Sequence, residues 1–156
     1  VLPVAALADR LDDCFRSEVF GLNAASCPTA TFCVVVGQSG VILTSADGGA
    51  SWTFRRPGSD NDANLDGVSC ASATFCVAVS QDGAVLQTSD GGLTWTLRKL
   101  NQYLSLAGVS CPSATICVAV GDQSLDGMVM TTTDGVRPGR RTHPGTTFWR
   151  CEIWPA

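Results

Sequence analysis

The residues best equipped for chemistry crowd the C-terminal part of this chain. His143 is its single histidine and Glu152 one of its two glutamates. Arg137, Arg140, Arg141 and Arg150 surround them, with no acid between Arg137 and Arg150. Arginine forks recognise phosphate, sulfate or carboxylate. A histidine with a carboxylate is the minimum for general acid–base hydrolysis. A small secreted hydrolase, glycosidase or nuclease-like, would therefore have to use His143, Glu152 and Arg141. The same residues are explained without chemistry by an exposed loop or a processing site. We read the basic stretch first as such a loop, next as an anion or protein contact, and last as a catalytic centre. Trp149 and Trp154 lie beside it and could stack on a sugar, form an interface or cover the end of a sheet. Covering a sheet is the preferred role. With the four arginines, the two tryptophans make up the candidate ligand-binding set.

Other catalytic inventories are thinner. A glycosidase needs two carboxylates across a cleft, and fourteen acids make some close pair unavoidable. Asp66, Asp82, Asp122 and Asp126 are the acids to inspect, and solvated turn positions account for them. The eight cysteines do not read as zinc ligands, which usually fall in C-x2-C or C-x4-C pairs near a second pair. No metal and no cofactor are expected.

What must position any such residues is a repeat. C-x5-C loops occur at Cys27/Cys33, Cys70/Cys76 and Cys111/Cys117, offset by 43 and then 41 residues. Each is followed by β-branched or apolar segments and an aspartate-glycine turn. The turns are SADGGASW around Asp47, TSDGGLTW around Asp90, and a reduced TTDGV around Asp134. Repeats of this length are single supersecondary units that bury a face only by stacking on neighbours. Their bounds are roughly 21–56, 65–99 and 106–136. Phe32–Gly37 is a continuous apolar run and predicts a strand buried on both faces. Four disulfides are expected: Cys27–Cys33, Cys70–Cys76, Cys111–Cys117 and Cys14–Cys151. The first three rest on the identical spacing, and the last would tie the two ends together.

Composition agrees with an exported β domain. Charged residues are only 15% while apolar residues reach 45%, which disfavours disorder. An even cysteine count with repeated spacing points to an oxidising compartment. The net charge of −4 makes nucleic acid an improbable partner. No stretch is long and apolar enough for a membrane span. The chain starts without Met and reads as a mature or excised product, its export signal already removed.

The turns around Asp47 and Asp90 resemble the Asp-box, or BNR repeat, S/T-x-D-x-G-x-T/S-W. The C-P-S-A-T-x-C loop before the turn is similar to that of Asp-box repeat proteins among secreted bacterial products. The resemblance covers about residues 21–136, and the Asp134 copy lacks its second glycine and its tryptophan. It implies sialidase-like propeller blades whose boxes brace hairpins away from the functional face. Asp47, Asp90, Asp134, Trp52 and Trp95 are then structural turn residues. Residue chemistry agrees: such an aspartate accepts backbone N–H bonds, the glycines supply positive φ, and the tryptophan covers the turn. The sialidase catalytic set is missing, since that family uses three arginines with a tyrosine–glutamate pair and this chain has one tyrosine, Tyr103.

The expectation is one all-β domain over 1–156, a small propeller-like array of three repeats. Residues 14–20 and 146–154 would pair as a composite terminal blade. A β-trefoil is the alternative, and half of a ring completed by a second copy is another. The expected function is a secreted, non-enzymatic module for a protein or carbohydrate, with a homo-oligomer or larger assembly as a further partner class. The small hydrolase is the alternative.

Overall fold

Alternating and continuous runs of Val, Ile, Leu and Thr, punctuated by Gly and Asp turns, fold into short antiparallel strands. The structure, a computed structural model, describes residues 21–57, 63–100, 103–123 and 126–132, with the backbone of 150–152. The first sheet holds β1 (Leu22–Ser26), β2 (Cys33–Gly37), β3 (Ile42–Ser45) and β4 (Thr53–Arg55). The second holds β5 (Leu65–Cys70), β6 (Cys76–Ser80), β7 (Ala84–Thr88) and β8 (Thr96–Lys99). The third holds β9 (Leu104–Ser110), β10 (Cys117–Gln123), β11 (Asp126–Thr132) and β12 (Arg150–Glu152). Strands follow chain order across each sheet, and every described neighbour pair is antiparallel.

The sheets stack on one another. Their first strands β1, β5 and β9 run side by side along the stack, and β4 and β8 lie at outer edges. Two apolar layers hold the stack together. Phe32, Val34, Val36 and Ile42 of the first sheet meet Leu65, Val68, Cys76, Ala78 and Leu86 of the second. The other face of the second sheet presents Phe75, Val77, Val79 and Val85 to Leu104, Leu106, Cys117, Ala119, Met128 and Met130 of the third. Ladders run only within a sheet. A β-trefoil would instead join strands of different repeats into one barrel, so these sheets are propeller blades and the trefoil alternative falls away.

One detail departs from the sequence reading, and another falls partly outside the described residues. The run Cys33–Gly37 is only half-buried at Cys33 and Val35, whereas β6 and β7 are buried along both faces. The second sheet has a neighbour on each side, and the first sheet's other face does not meet a described sheet. Arg150–Glu152, assigned by sequence to a composite element with 14–20, is the fourth strand of the third sheet, with Cys151 opposite Met130. The third repeat lacks the tryptophan strand of the others, so the edge of β11 is open to it. Residues 14–20 lie outside the described residues.

Candidate functional site

Each of the two described aspartate turns is a small hydrogen-bonded cage. Ser45 Oγ donates to Asp47 Oδ1 at 2.8 Å and accepts from Gly49 N–H at 2.8 Å. Ser51 donates to Asp47 from its backbone N–H at 2.9 Å and from Oγ at 2.5 Å. Thr88, Asp90, Gly92 and Thr94 repeat the cage with the same partners. The glycines at 48, 49, 91 and 92 all have positive φ, between +72° and +92°, which a Cβ would strain. Trp52 and Trp95 fold over their turns half-buried, and Trp95 also packs on the core between the first two sheets.

The cysteine loops close the same end of each blade. Cys27–Cys33, Cys70–Cys76 and Cys111–Cys117 are disulfides. Cys70 and Cys76 stand directly opposite in the ladder, so the bridge pins the mouth of the hairpin. Closing so short a loop is worth about 2 kcal/mol in a chain-entropy account. A backbone bond ties each aspartate turn to its own cysteine loop: Gly48 N–H to Thr31 O at 2.8 Å and Gly91 N–H to Thr74 O at 3.0 Å. A second set of bonds crosses between blades. Ser26 Oγ accepts from Cys70 N–H at 3.0 Å, and Ser69 Oγ accepts from Cys111 N–H at 2.9 Å.

Each cage favours the ionised form of its own aspartate. Hydrogen bonds from the Ser51 and Thr94 hydroxyls, then from their backbone N–H groups, pull Asp47 and Asp90 down from 3.8 to about 2. A carboxyl with a lowered folded pKa stabilises the protein above its unfolded value. That contribution disappears as pH falls through the folded value. Stability is therefore expected to drop between about pH 4 and about pH 2. The Asp47→Asn, Asp90→Asn double variant should show a flatter dependence across that window in urea melts. An unchanged slope would mean that the cages do not govern it.

The opposite end of the sheets carries the acids singled out above. Asp66 accepts from Gln81 N–H and from Gln81 Nε2, both at 3.0 Å. Asp82 accepts from Ser80 Oγ and lies 3.9 Å from Lys99 Nζ. Asp122 sits opposite Gly127, and Asp126 opposite Gln123, in the β10–β11 ladder. The first two carboxylates thus hold the Gln81 turn. Among the described residues, no three His, Cys, Asp or Glu side chains gather to hold a metal ion. His143, Arg137, Arg140, Arg141, Trp149, Trp154, Asp134 and Cys14 lie outside the described residues. Arg150 and Glu152 are placed only as strand backbone.

A feature that sequence reading missed is the outward face of the third sheet. By ladder register, Val36, Val79 and Val120 are equivalent, as are Ile42, Val85 and Val129. Val36 and Val79 are 0% and 1% exposed, but Val120 is 47% exposed. Ile42 and Val85 are 0% and 2% exposed, but Val129 is 44% exposed. Ile116, at the position of buried Phe32 and Phe75, is exposed as well. The recurring C-V-x-V pattern signals that these positions are equivalent, but not that the third copy is uncovered.

No protein-family model matches the chain, and no curated protein does. Among solved structures, YCF48 bound to a D1 peptide superposes with a TM-score of 0.66 at 21% identity, over 76% of this chain and 39% of that one. YCF48 from Cyanidioschyzon merolae gives a TM-score of 0.63 at 18% identity, over 85% of this chain and 37% of that one. At such identities the likeness is one of fold: an all-β, Asp-box-like propeller architecture with short disulfide-bonded loops added. The chain spans about two fifths of the length of these structures.

Proposed function

We propose that this chain is a secreted, non-enzymatic propeller segment that binds protein. The observation carrying this reading is where its polar and apolar groups go. Asp47, Asp90, Asp66 and Asp82 are engaged in turns of the fold itself. Apolar strand residues meanwhile face outward at Leu22, Ile116, Val120 and Val129. Exposed apolar strand surface suits a polypeptide partner better than a sugar, which needs convergent polar groups. A structure of similar fold carries a bound D1 peptide, which supports a peptide-like ligand here. Three disulfides among the described residues support an oxidising, extracytoplasmic setting.

The test is a parallel screen of the purified chain against immobilised peptides, a glycan array and a panel of glycosidase and nuclease substrates. Saturable peptide binding that Val120→Asp weakens, without turnover, is the expected result. Turnover that His143→Ala abolishes in a folded protein would replace this reading with the hydrolase. Binding confined to glycans would replace it with a carbohydrate module.

A further inference from the structure

We infer that the Asp126–Gly127 peptide is a site of spontaneous backbone modification, where aspartate converts through a cyclic imide to isoaspartate. The chemistry needs no enzyme. The Gly127 nitrogen attacks Cγ of the Asp126 carboxyl group and forms a new N–C bond. The nitrogen gives up its proton, and the carboxyl hydroxyl leaves as water. Water then reopens the ring at either carbonyl. Opening at the main-chain carbonyl leaves the chain running through Cγ, with a free α-carboxylate beside it. One water leaves and one returns, and nothing is oxidised or reduced. Glycine favours the attack because no side chain shields its nitrogen.

Six Asp-Gly pairs occur, at Asp47, Asp66, Asp82, Asp90, Asp126 and Asp134. The last lies outside the described residues. In four of the other five, the fold holds both reacting groups. The Asp47 and Asp90 carboxylates sit in their cages, and Gly48 and Gly91 donate to Thr31 and Thr74. Asp82 accepts from Ser80 Oγ, and Gly83 N–H donates to Ser80 O at 3.2 Å. Asp66 accepts twice from Gln81. Gly67 is held by the β5–β6 ladder. Cys70 and Cys76 stand opposite at 4.0 Å between Cα atoms, the short spacing of a pair without mutual bonds. Alternation from there makes Gly67 and Val79 a bonded pair.

The same alternation releases Gly127. Cys111 and Cys117 are 4.1 Å apart at Cα, so Cys117 turns its N–H toward Thr132 on β11. Along the unbroken β10–β11 register, Asp122 and Gly127 then form a pair without mutual bonds. The Gly127 N–H therefore points away from β10, to the side where β12 pairs only with Val129, Met130 and Thr131. Nothing lies within 4 Å of the Gly127 Cβ position. Asp126 is exposed, and no described residue donates to its carboxylate. Nucleophile and electrophile are both free at this one described pair. At the others a hydrogen bond to a charged group must break before attack, which slows the step at least about tenfold.

The test ages the native wild-type chain at neutral pH in heavy-oxygen water, followed by peptide tandem mass spectrometry that resolves each Asp-Gly pair. Isoaspartate carrying solvent oxygen should accumulate at Asp126 at least about tenfold faster than at Asp47, Asp66, Asp82 or Asp90. In guanidinium chloride the five sites should age at similar rates, because every pair is then free. Asp126→Glu should abolish the product at that position, since glutamate must close a larger ring. Gly127→Ala should slow it while leaving the urea midpoint in place. Native Asp126 that ages no faster than Asp47 or Asp90 overturns the inference. So does a lead for Asp126 that persists undiminished in denaturant, because sequence and not the fold would then set it.

Discussion

Gly121→Ala should cost about 3 kcal/mol or more in urea unfolding, toward the upper end for overpacking. A Cβ on Gly121 would lie 2.0 Å from the carbonyl oxygen of Ser105 and 2.9 Å from Leu106 Cα, both main-chain atoms that cannot rotate away. The β9–β10 ladder shifts register between Val120 and Gly121, and that irregularity brings the two backbones this close. A Cβ on Gly37, at the same position in the first sheet, would lie 2.2 Å from the carbonyl oxygen of Gly21. Gly127, across the β10–β11 ladder at the same end of the blade, has nothing within 4 Å of its Cβ position. Gly127→Ala is therefore the control, with an expected change inside about 0.5 kcal/mol. Equal losses for the two would mean that the close approach at Gly121 is absent.

The repeat made much of the fold legible. Spacing of the cysteine loops and aspartate turns marked out three successive β units, because turn chemistry and β-branched runs act locally. Burial was less legible, because it depends on neighbours. Cys33–Gly37 and Cys76–Ser80 have nearly the same composition, yet only the second is buried on both faces, since among the described sheets only its own lies between two others. The same reasoning explains why Val120 and Val129 could not be told from Val79 and Val85 by pattern. The short turn at Gln38–Gly40 was also hidden. Ser39 holds φ of +55° there, its N–H bonded to Asn64 Oδ1, and no sequence signal announces a left-handed serine.

The candidate ligand set was chosen by residue type alone, and charge density drew attention to Arg137–Arg150. Most of that set lies outside the described residues, while Val120 and Val129 are the exposed apolar positions of the third sheet. Charged residues are easy to notice in a sequence, whereas an uncovered valine is identical in sequence to a covered one. Blade stacking also explains why the middle repeat carries the densest core. Its sheet contributes to both apolar layers, and the outer two contribute to one each.

Paired charge substitutions at equivalent positions carry the largest expected effect. Val85 and Val129 occupy the same place in successive blades, opposite Val79 and Val120. Val85→Asp would bury a carboxylate in the layer of Val77, Val79, Leu106 and Met128, and the cation nearest by register, Arg98 opposite it in the β7–β8 ladder, lies on an exposed edge strand. Taking a carboxylate out of water there removes several kcal/mol, which an edge cation offsets only in part, against a total stability of about 5–15 kcal/mol for a domain of this kind. That chain should be largely unfolded or recovered only as aggregate. Val129→Asp puts the same charge on a face open to water and should cost under about 1 kcal/mol. Association adds to apparent stability, so both variants should be compared at concentrations where the wild type is monomeric. The measurement that bears most directly on a stack of blades with an open end is this pair of urea denaturation curves. Collapse of the midpoint for Val85→Asp, with a near-native midpoint for Val129→Asp, is the predicted result. Equal losses at the two positions would contradict the account.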